Sequence, residues 1–190
     1  MKILLSLSAL LITLTLTAQS TTATWYLNDT SGDGVQSYTN TASGDFSTAM
    51  GNGTTANGDY STAMGIGTQA SGYSSTTMGN ETTASGYVST AMGYYTTASG
   101  SRSTAIGEGT TASGGRSTAM GLYTIASDRS SLVIGEYNLL GSTVTNSATQ
   151  FSTDNTAFVI GNGADSDNRS DALTVLFNGD ATLAGSMTAT

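Results

Sequence analysis

The stretch S-T-A-M-G-N-G-T-T-A-N-G-D-Y, Ser47 to Tyr60, is one copy of a unit that decides the fold. Laid against its neighbours, it recurs once every fourteen positions. One glycine column runs through 51, 65, 79, 93, 107, 121 and 135, and a second through 44, 58, 72, 86, 100 and 114. A serine column (47, 61, 75, 89, 103, 117, 131) and an alanine column (42, 56, 70, 84, 98, 112, 126) keep the same register, with no insertion between copies. Fixed-period self-similarity marks a solenoid, in which each unit buries its face only against its neighbours. A unit this short cannot hold a helical pair, so it is built from strands. The spacing predicts strand, turn, strand, turn in each coil, with two strands of about five residues and glycine near each corner. Stacked in parallel, the coils make two facing sheets, and seven of them at about 4.8 Å each give a rod about 34 Å long.

Composition agrees with this reading. Of 190 residues, 37% are apolar, 9% charged and 7% aromatic, with 24 Gly and no Pro, which excludes a helical bundle and an ordinary α/β enzyme. The regular spacing argues against disorder. With no His and no Cys, the chain has no Ser-His-Asp triad, no Cys nucleophile, no zinc site of the usual ligands and no disulfide. A net charge of −8 opposes binding to nucleic acid or to an anionic membrane surface. Asp and Glu could still support glycoside hydrolysis. No cleft gathers them, however, and Glu81, Glu108 and Glu136 fall at turn-like positions. The expectation is a protein without enzymatic activity and without a cofactor.

Residues 1–18 read as a secretory signal peptide: Lys2, an apolar run from Ile3 to Leu16, and Ala18 before Gln19 as a cleavage point. The run is shorter than the roughly 20 residues of a membrane-spanning helix, and no second one follows. The remainder divides into an N-terminal cap at 19–40, where Trp25, Tyr26 and Leu27 are the capping residues, and a repeat roll at 41–138. A last copy of the unit, T-A-F-V-I-G, ends at Gly161, where one further period from Gly135 would place its glycine at position 149. The excess of twelve positions implies an inserted loop near Leu140 to Gln150, within a loop segment at 139–155. In 156–190 the last coil is followed by Leu173 to Phe177, Asn178-Gly179 and Ala181 to Ala184, a hairpin signal. This tail is either a connector or a cap on the open end of the roll.

Period-two reading puts Thr48 and Met50 on one strand face and Ser47, Ala49 and Gly51 on the other. The Met50, Met64, Met78, Met92, Ile106, Met120 and Ile134 column therefore has two readings. Facing outward it forms an apolar stripe and predicts association, as a trimer seam. Facing inward it is core against the alanines of the opposite sheet. The outward face is the expectation.

The recurring S-T-A-M-G or S-T-A-I-G, followed by a small polar turn and T-x-A-S-G, resembles the S-x-A-I-G-x-x-x-x-A-x-G repeat of YadA-like head domains in trimeric autotransporter adhesins, from about Thr41 to Gly135. The resemblance implies an all-β, left-handed parallel β-roll (a solenoid) of 14-residue two-strand coils, assembled as a homotrimer. It also implies display outside a Gram-negative cell, secreted or on the outer surface, with a host-surface or extracellular-matrix ligand. In that family the head sits on a coiled-coil stalk and a membrane β-barrel, and this sequence shows neither apolar heptads nor alternating barrel strands. Thr48, Thr62, Thr76, Thr90, Thr104 and Thr118, with Met, stand where the family commonly has Val and Ile around the Ala, so no particular matrix ligand carries over.

Other patterns compete with this one. Thr55, Thr83, Thr97 and Thr111, beside Asn57, Ser85, Ser99 and Ser113, form rows that an ice-binding or ligand-binding face could use, interrupted by Gln69 and Ile125. Threonine is also simply a good strand former. Tyr60, Tyr73, Tyr87, Tyr94, Tyr95 and Tyr123 fall at turns, as contact surface or as cover for the corners. Asp165 to Asp171 alternates oxygen ligands but lacks the Gly and distal Glu of a calcium loop, and reads as a solvated loop. The function expected is adhesive attachment through many weak contacts; the alternatives are an ice-binding roll and a secreted or phage-like trimeric fibre module.

Overall fold

A computed structural model of the chain describes residues 26–27, 35–36, 39–140 and 148–186. The signal-peptide reading, most of the 19–40 cap including Trp25, and the middle of the inserted loop lie outside the described residues. What is described is all strand and turn, in two sheets. The wide sheet takes the five-residue strand of each coil: Thr48–Asn52, Thr62–Ile66, Thr76–Asn80, Thr90–Tyr94, Thr104–Glu108, Thr118–Leu122 and Leu132–Glu136. The narrow sheet takes the two-residue strands Thr41–Ala42, Thr55–Ala56, Gln69–Ala70, Thr83–Ala84, Thr97–Ala98, Thr111–Ala112 and Ile125–Ala126. Each strand pairs in parallel with its counterpart one period on, as Thr90 with Thr104 and Thr97 with Thr111. The chain is a parallel β-solenoid.

The second strand is shorter than the expected five residues, and the reason is local. In the first six coils the two N–H groups after the alanine, such as Ser85 and Gly86, both donate to one carbonyl of the next coil, here that of Ala98. The ladder ends there because the backbone is already bending into the corner.

Two glycine columns set the spacing for different reasons. At Gly86 the backbone has ordinary φ, but a Cβ would collide with the carbonyl of Gly100 in the next coil. At Gly93 the same crowding against Gly107 is joined by a φ of 122°, a region L residues rarely adopt. Stacked coils approach closely enough that the hydrogen at Cα is all that fits.

The interior is correspondingly thin. Its fully buried apolar residues are alanines from both sheets, with Val133 and Val159 at the C-terminal end. Buried serines and threonines complete it. Ser47, Ser89 and Ser131 turn their hydroxyls back to the carbonyl three residues earlier, at 2.6–2.8 Å. The hydroxyls of Thr54, Thr68, Thr82, Thr96, Thr110 and Thr124 are buried with no hydrogen-bond partner. Dense backbone pairing stabilises a chain whose side chains bury little apolar area.

Asparagine closes both ends of that threonine column. Asn40, one period before Thr54, accepts from the Thr54 N–H (3.0 Å) and donates to the Gly51 carbonyl (3.0 Å). Asn138, one period after Thr124, is fully buried, accepts from the Ile125 N–H (2.7 Å) and donates to the Ile125 carbonyl (3.1 Å). A carboxamide carries donor and acceptor in the geometry of a peptide unit, so it ends the narrow sheet without leaving orphaned backbone groups. The wide sheet is instead extended. Val35–Gln36 pairs in parallel with Thr48–Asn52, and Tyr26–Leu27 antiparallel beyond it. At the other end Leu132 pairs with Phe158 and Gly135 with Gly161, so the pairing steps over the inserted loop. Asp128 replaces glycine there, and its buried carboxylate accepts from the Thr156 N–H at 2.8 Å. Strand Thr156–Asn162 then meets Asp171–Leu176 antiparallel, and the latter turns through Phe177 to Asp180 into Ala181–Leu183.

Candidate functional site

Because both alanine columns point inward, the residues between them point out. The wide sheet's outer face carries the threonines at 48, 62, 76, 90, 104 and 118 and, two residues along each strand, the Met/Ile column. Met50, Met78 and Met120 are exposed at 38–40%, while Met64, Met92, Ile106 and Ile134 are half-buried between neighbours of the same column. Of the two readings of this column, the interior one does not describe the structure: the space it would need is filled by alanine. Pairing holds the side chains in register, Met64 with Met78, Met78 with Met92, Met92 with Ile106 and onward to Ile134. The result is an apolar stripe along the roll.

On the narrow sheet Thr55, Thr83, Thr97 and Thr111 also face outward and are half-buried. Thr83, Thr97 and Thr111 are adjacent in register, while Gln69 separates Thr55 from Thr83 and Ile125 ends the row. With two residues per strand, this face is a ribbon much narrower than the wide sheet.

The corners form the remaining surface, and they hold the feature that sequence reading missed. One corner column is left-handed in every coil, at Phe46, Tyr60, Ser74, Val88, Arg102, Arg116 and Ser130, none of them glycine. A left-handed residue of this kind costs about 1–2 kcal/mol. Inter-coil hydrogen bonds hold these corners, as from the Val88 N–H to the Tyr73 carbonyl (2.8 Å) and from the Arg102 N–H to the Tyr87 carbonyl (2.7 Å). The opposite corner is left-handed too, with Gly53, Gly67 and Gly109 sharing the column with Glu81, Tyr95, Tyr123 and Tyr137.

Tyrosines gather on these two edges. Phe46, Tyr60, Tyr73 and Tyr87 follow one another up the first, with ring centroids 5.3–5.4 Å apart. On the second, Tyr94 meets Tyr95 edge-on at 4.3 Å and Tyr123 stacks on Tyr137 at 5.1 Å. The hydrogen bond with Tyr95 raises the Tyr94 pKa, and desolvation, followed by the neighbouring Tyr123, raises that of Tyr137. Arg169 lies over the Tyr137 ring and donates to the carbonyls of Tyr123 and Asn138, pinning the C-terminal loop to this edge. Within that loop the Asp165 carboxylate accepts from the Asp167 and Asn168 N–H groups and the Asn168 side chain. Its oxygens turn the loop, and among the described residues no group of acidic side chains is arranged to hold a metal ion.

Comparison with known families follows the same period. Residues 42–68, 70–96 and 98–124 each match the YadA head domain repeat (2 copies). The chain carries a YadA-like head domain. No curated protein matches the chain at a significant level. YadA-like heads are non-enzymatic, adhesin-type domains, typically extracellular or surface-exposed, and the family in general assembles as trimers. Among the described residues no helix is long and apolar enough to cross a membrane.

Proposed function

We propose that this YadA-like head is exported by the signal peptide at residues 1–18, assembles as a homotrimer, and attaches its cell to a host-surface or extracellular-matrix ligand. The observation that carries the proposal is the Met/Ile column. Seven large apolar side chains stand outward in register on one face, although a roll that closes on alanine has no use for them internally. Isolated exposed methionines are ordinary, whereas a continuous stripe marks an association surface. Three such stripes around one axis would bury one another. The half-buried apolar residues of Asp171–Leu176 stand in the same sheet and would extend the seam.

Trimerisation also supplies a mechanism for adhesion. Three identical heads present each weak contact three times, and the second and third contacts form at high effective concentration. The test is adhesion of beads coated with the chain from Gln19 onward, compared with Met64→Lys/Met92→Lys. We expect wild-type beads to adhere to host cells or matrix and the lysine variant, folded but unable to bury the stripe, to adhere at least tenfold less. Equal adhesion by a demonstrably monomeric variant would remove the seam from the explanation.

A further inference from the structure

One edge of the roll reads differently from the rest of the repeat. The two residues at its corner are, coil by coil, Asp45-Phe46, Asp59-Tyr60, Tyr73-Ser74, Tyr87-Val88, Ser101-Arg102, Gly115-Arg116 and Arg129-Ser130. The flanking interior serines and the close-approach glycines hardly vary, whereas the side chains at this corner change from coil to coil. It passes from acidic to aromatic to basic along the rod.

The basic end forms a cavity. Arg102, Arg116 and Arg129 line a half-open space of 370 Å³ together with Ser99, Ser101 and Ser113, and Ala148 and Thr149 of the inserted loop complete its lining. The Gly115 N–H donates to the Ala148 carbonyl (2.6 Å), and Arg129 donates to the Thr149 carbonyl (3.1 Å), so these two residues are fastened as one wall. These are three of the five basic residues in a chain of net charge −8. Among the described residues none of the three is ion-paired with a carboxylate. Asp128 stands next to Arg129, but it is buried and bonded to the Thr156 N–H. The exposed acids of this edge, Asp45 and Asp59, are at least three coils below Arg102, about 14 Å away, beyond the screening length of about 8 Å at physiological salt.

Directly below lies the aromatic ladder, topped by Arg102, whose guanidinium sits 5.3 Å over the Tyr87 ring. Phe46 and Tyr60, like Tyr73 and Tyr87, are stacked face to face. Tyr60 meets Tyr73 edge-on, and Tyr87 meets both the Tyr73 ring and the Arg102 guanidinium; with its rings engaged by one another, the ladder suits single-stranded nucleic acid poorly, which needs free faces to stack on. Tyr60, Tyr73 and Tyr87 are exposed, and their phenol hydroxyls suit a hydroxyl-rich chain.

We propose that this edge binds an acidic saccharide chain, with sulfate or carboxylate groups in the Arg102–Arg116–Arg129 cavity and neutral sugar hydroxyls along Tyr73 and Tyr87. Guanidinium forks match sulfate and carboxylate oxygens two at a time, and one coil between successive arginines spaces the charges by about 5 Å. Serine hydroxyls at the cavity wall supply further donors. A lone inorganic anion would engage one fork; a chain with repeated charges engages all of them. The inference rests on the adhesive reading and deepens it by naming a class of ligand.

The test is fluorescence anisotropy of a labelled sulfated hexasaccharide with the chain from Gln19 onward, alongside a neutral hexasaccharide and an oligo-dT of similar length. Wild type is expected to bind the sulfated probe at least tenfold more tightly than either control, and more weakly as salt rises. Arg102→Gln/Arg116→Gln should lose at least tenfold with an unchanged melting curve, and Arg102→Lys/Arg116→Lys should recover part of it. Tyr73→Phe/Tyr87→Phe, which keeps the stack and removes the hydroxyls, should lose severalfold. No binding by wild type, equal binding by the glutamine variant, or oligo-dT binding as tight as the saccharide would each overturn the proposal. Bead adhesion separates the two readings. Beads that adhere equally with the glutamine variant retire this site and leave the adhesive reading standing, whereas saccharide binding without adhesion does the reverse.

Discussion

The roll from Thr41 to Glu136 and the antiparallel section from Thr156 to Leu183 share one continuous wide sheet, yet they are held together by different means. In the roll, each coil lies directly on the next with glycine against glycine, and the interior contains nothing larger than valine. In the antiparallel section the strands carry Leu, Val and Phe, Asp171–Leu176 is half-buried throughout, and Ala181–Leu183 is exposed. Phe151 and Phe177 meet edge-on at 5.0 Å beside it. A solenoid with two inner faces closes on itself and needs only small side chains. A sheet with one covered face needs bulk, and leaves the other face to solvent or to a partner.

The same glycine-to-alanine change should therefore cost much inside the roll and almost nothing just past the antiparallel section, where no coil lies against the backbone. Gly86→Ala places a Cβ against the Gly100 carbonyl, and we expect a loss of about 3 kcal/mol or more, or a failure to fold, by urea unfolding followed by circular dichroism. Gly185→Ala meets nothing within 4 Å, and its effect should stay within about 0.5 kcal/mol. Similar losses at both sites would mean that coil contact is not what the roll depends on.

Next in size is the junction. Asn138→Ala removes the buried carboxamide that ends the narrow sheet and takes away its bonds to the Ile125 N–H and carbonyl. It should cost about 2 kcal/mol, with amide exchange accelerating at Ile125 before it does in the middle coils. Uniform acceleration along the roll would show that the end cap has no local role.

Thr96→Val sharpens the comparison from inside. The Thr96 hydroxyl is buried without a partner, and a methyl of similar shape should stabilise the roll by about 1 kcal/mol. Thr174→Val in the antiparallel section should bring no such gain, because the Thr174 hydroxyl bonds the Asp171 carboxylate at 3.3 Å. A destabilised Thr96→Val would contradict the assignment of that hydroxyl as unsatisfied.

The smallest effect is electrostatic and confined to the C-terminal loop. Hydrogen bonds from Asn168 and Asp167 hold the Asp165 carboxyl below the usual carboxylate range. Its contribution is thus present above the unfolded carboxyl's pKa and is lost as pH falls through the lower folded value. Asn168 amide shifts in an acid titration should change below the ordinary Asp range while the roll's amides stay put.

Much of this was legible because the repeat writes its geometry in columns. Ala56 and its counterparts read as small interior fillers, and Gly86 and Gly93 as corner residues, since so short a period admits few alternatives. The outward setting of Met64 and Ile106 was less legible, since periodicity gives two faces and only the narrowness of the interior chooses between them. Left-handed Tyr60, Val88 and Arg102 were not legible at all. Local propensity reserves that conformation for glycine, and here inter-coil bonds such as Val88 N–H to the Tyr73 carbonyl override it. Asn40 and Asn138 stood in plain register with Thr54 and Thr124, but their capping role emerges only once the narrow sheet's ends are seen. Arg102, Arg116 and Arg129 come together around one cavity only because coils stack and Ala148 and Thr149 lie against them.

The central claim is that the outward Met/Ile column is a seam between chains. Its most direct test is the absolute mass in solution of the chain from Gln19 onward, by light scattering after size exclusion, with Met64→Lys/Met92→Lys run alongside. The account predicts a mass of three chains for the wild type and of one chain for the variant, both with the same β-sheet circular dichroism. A wild-type chain that is folded and monomeric at concentrations well above those used for adhesion would contradict it.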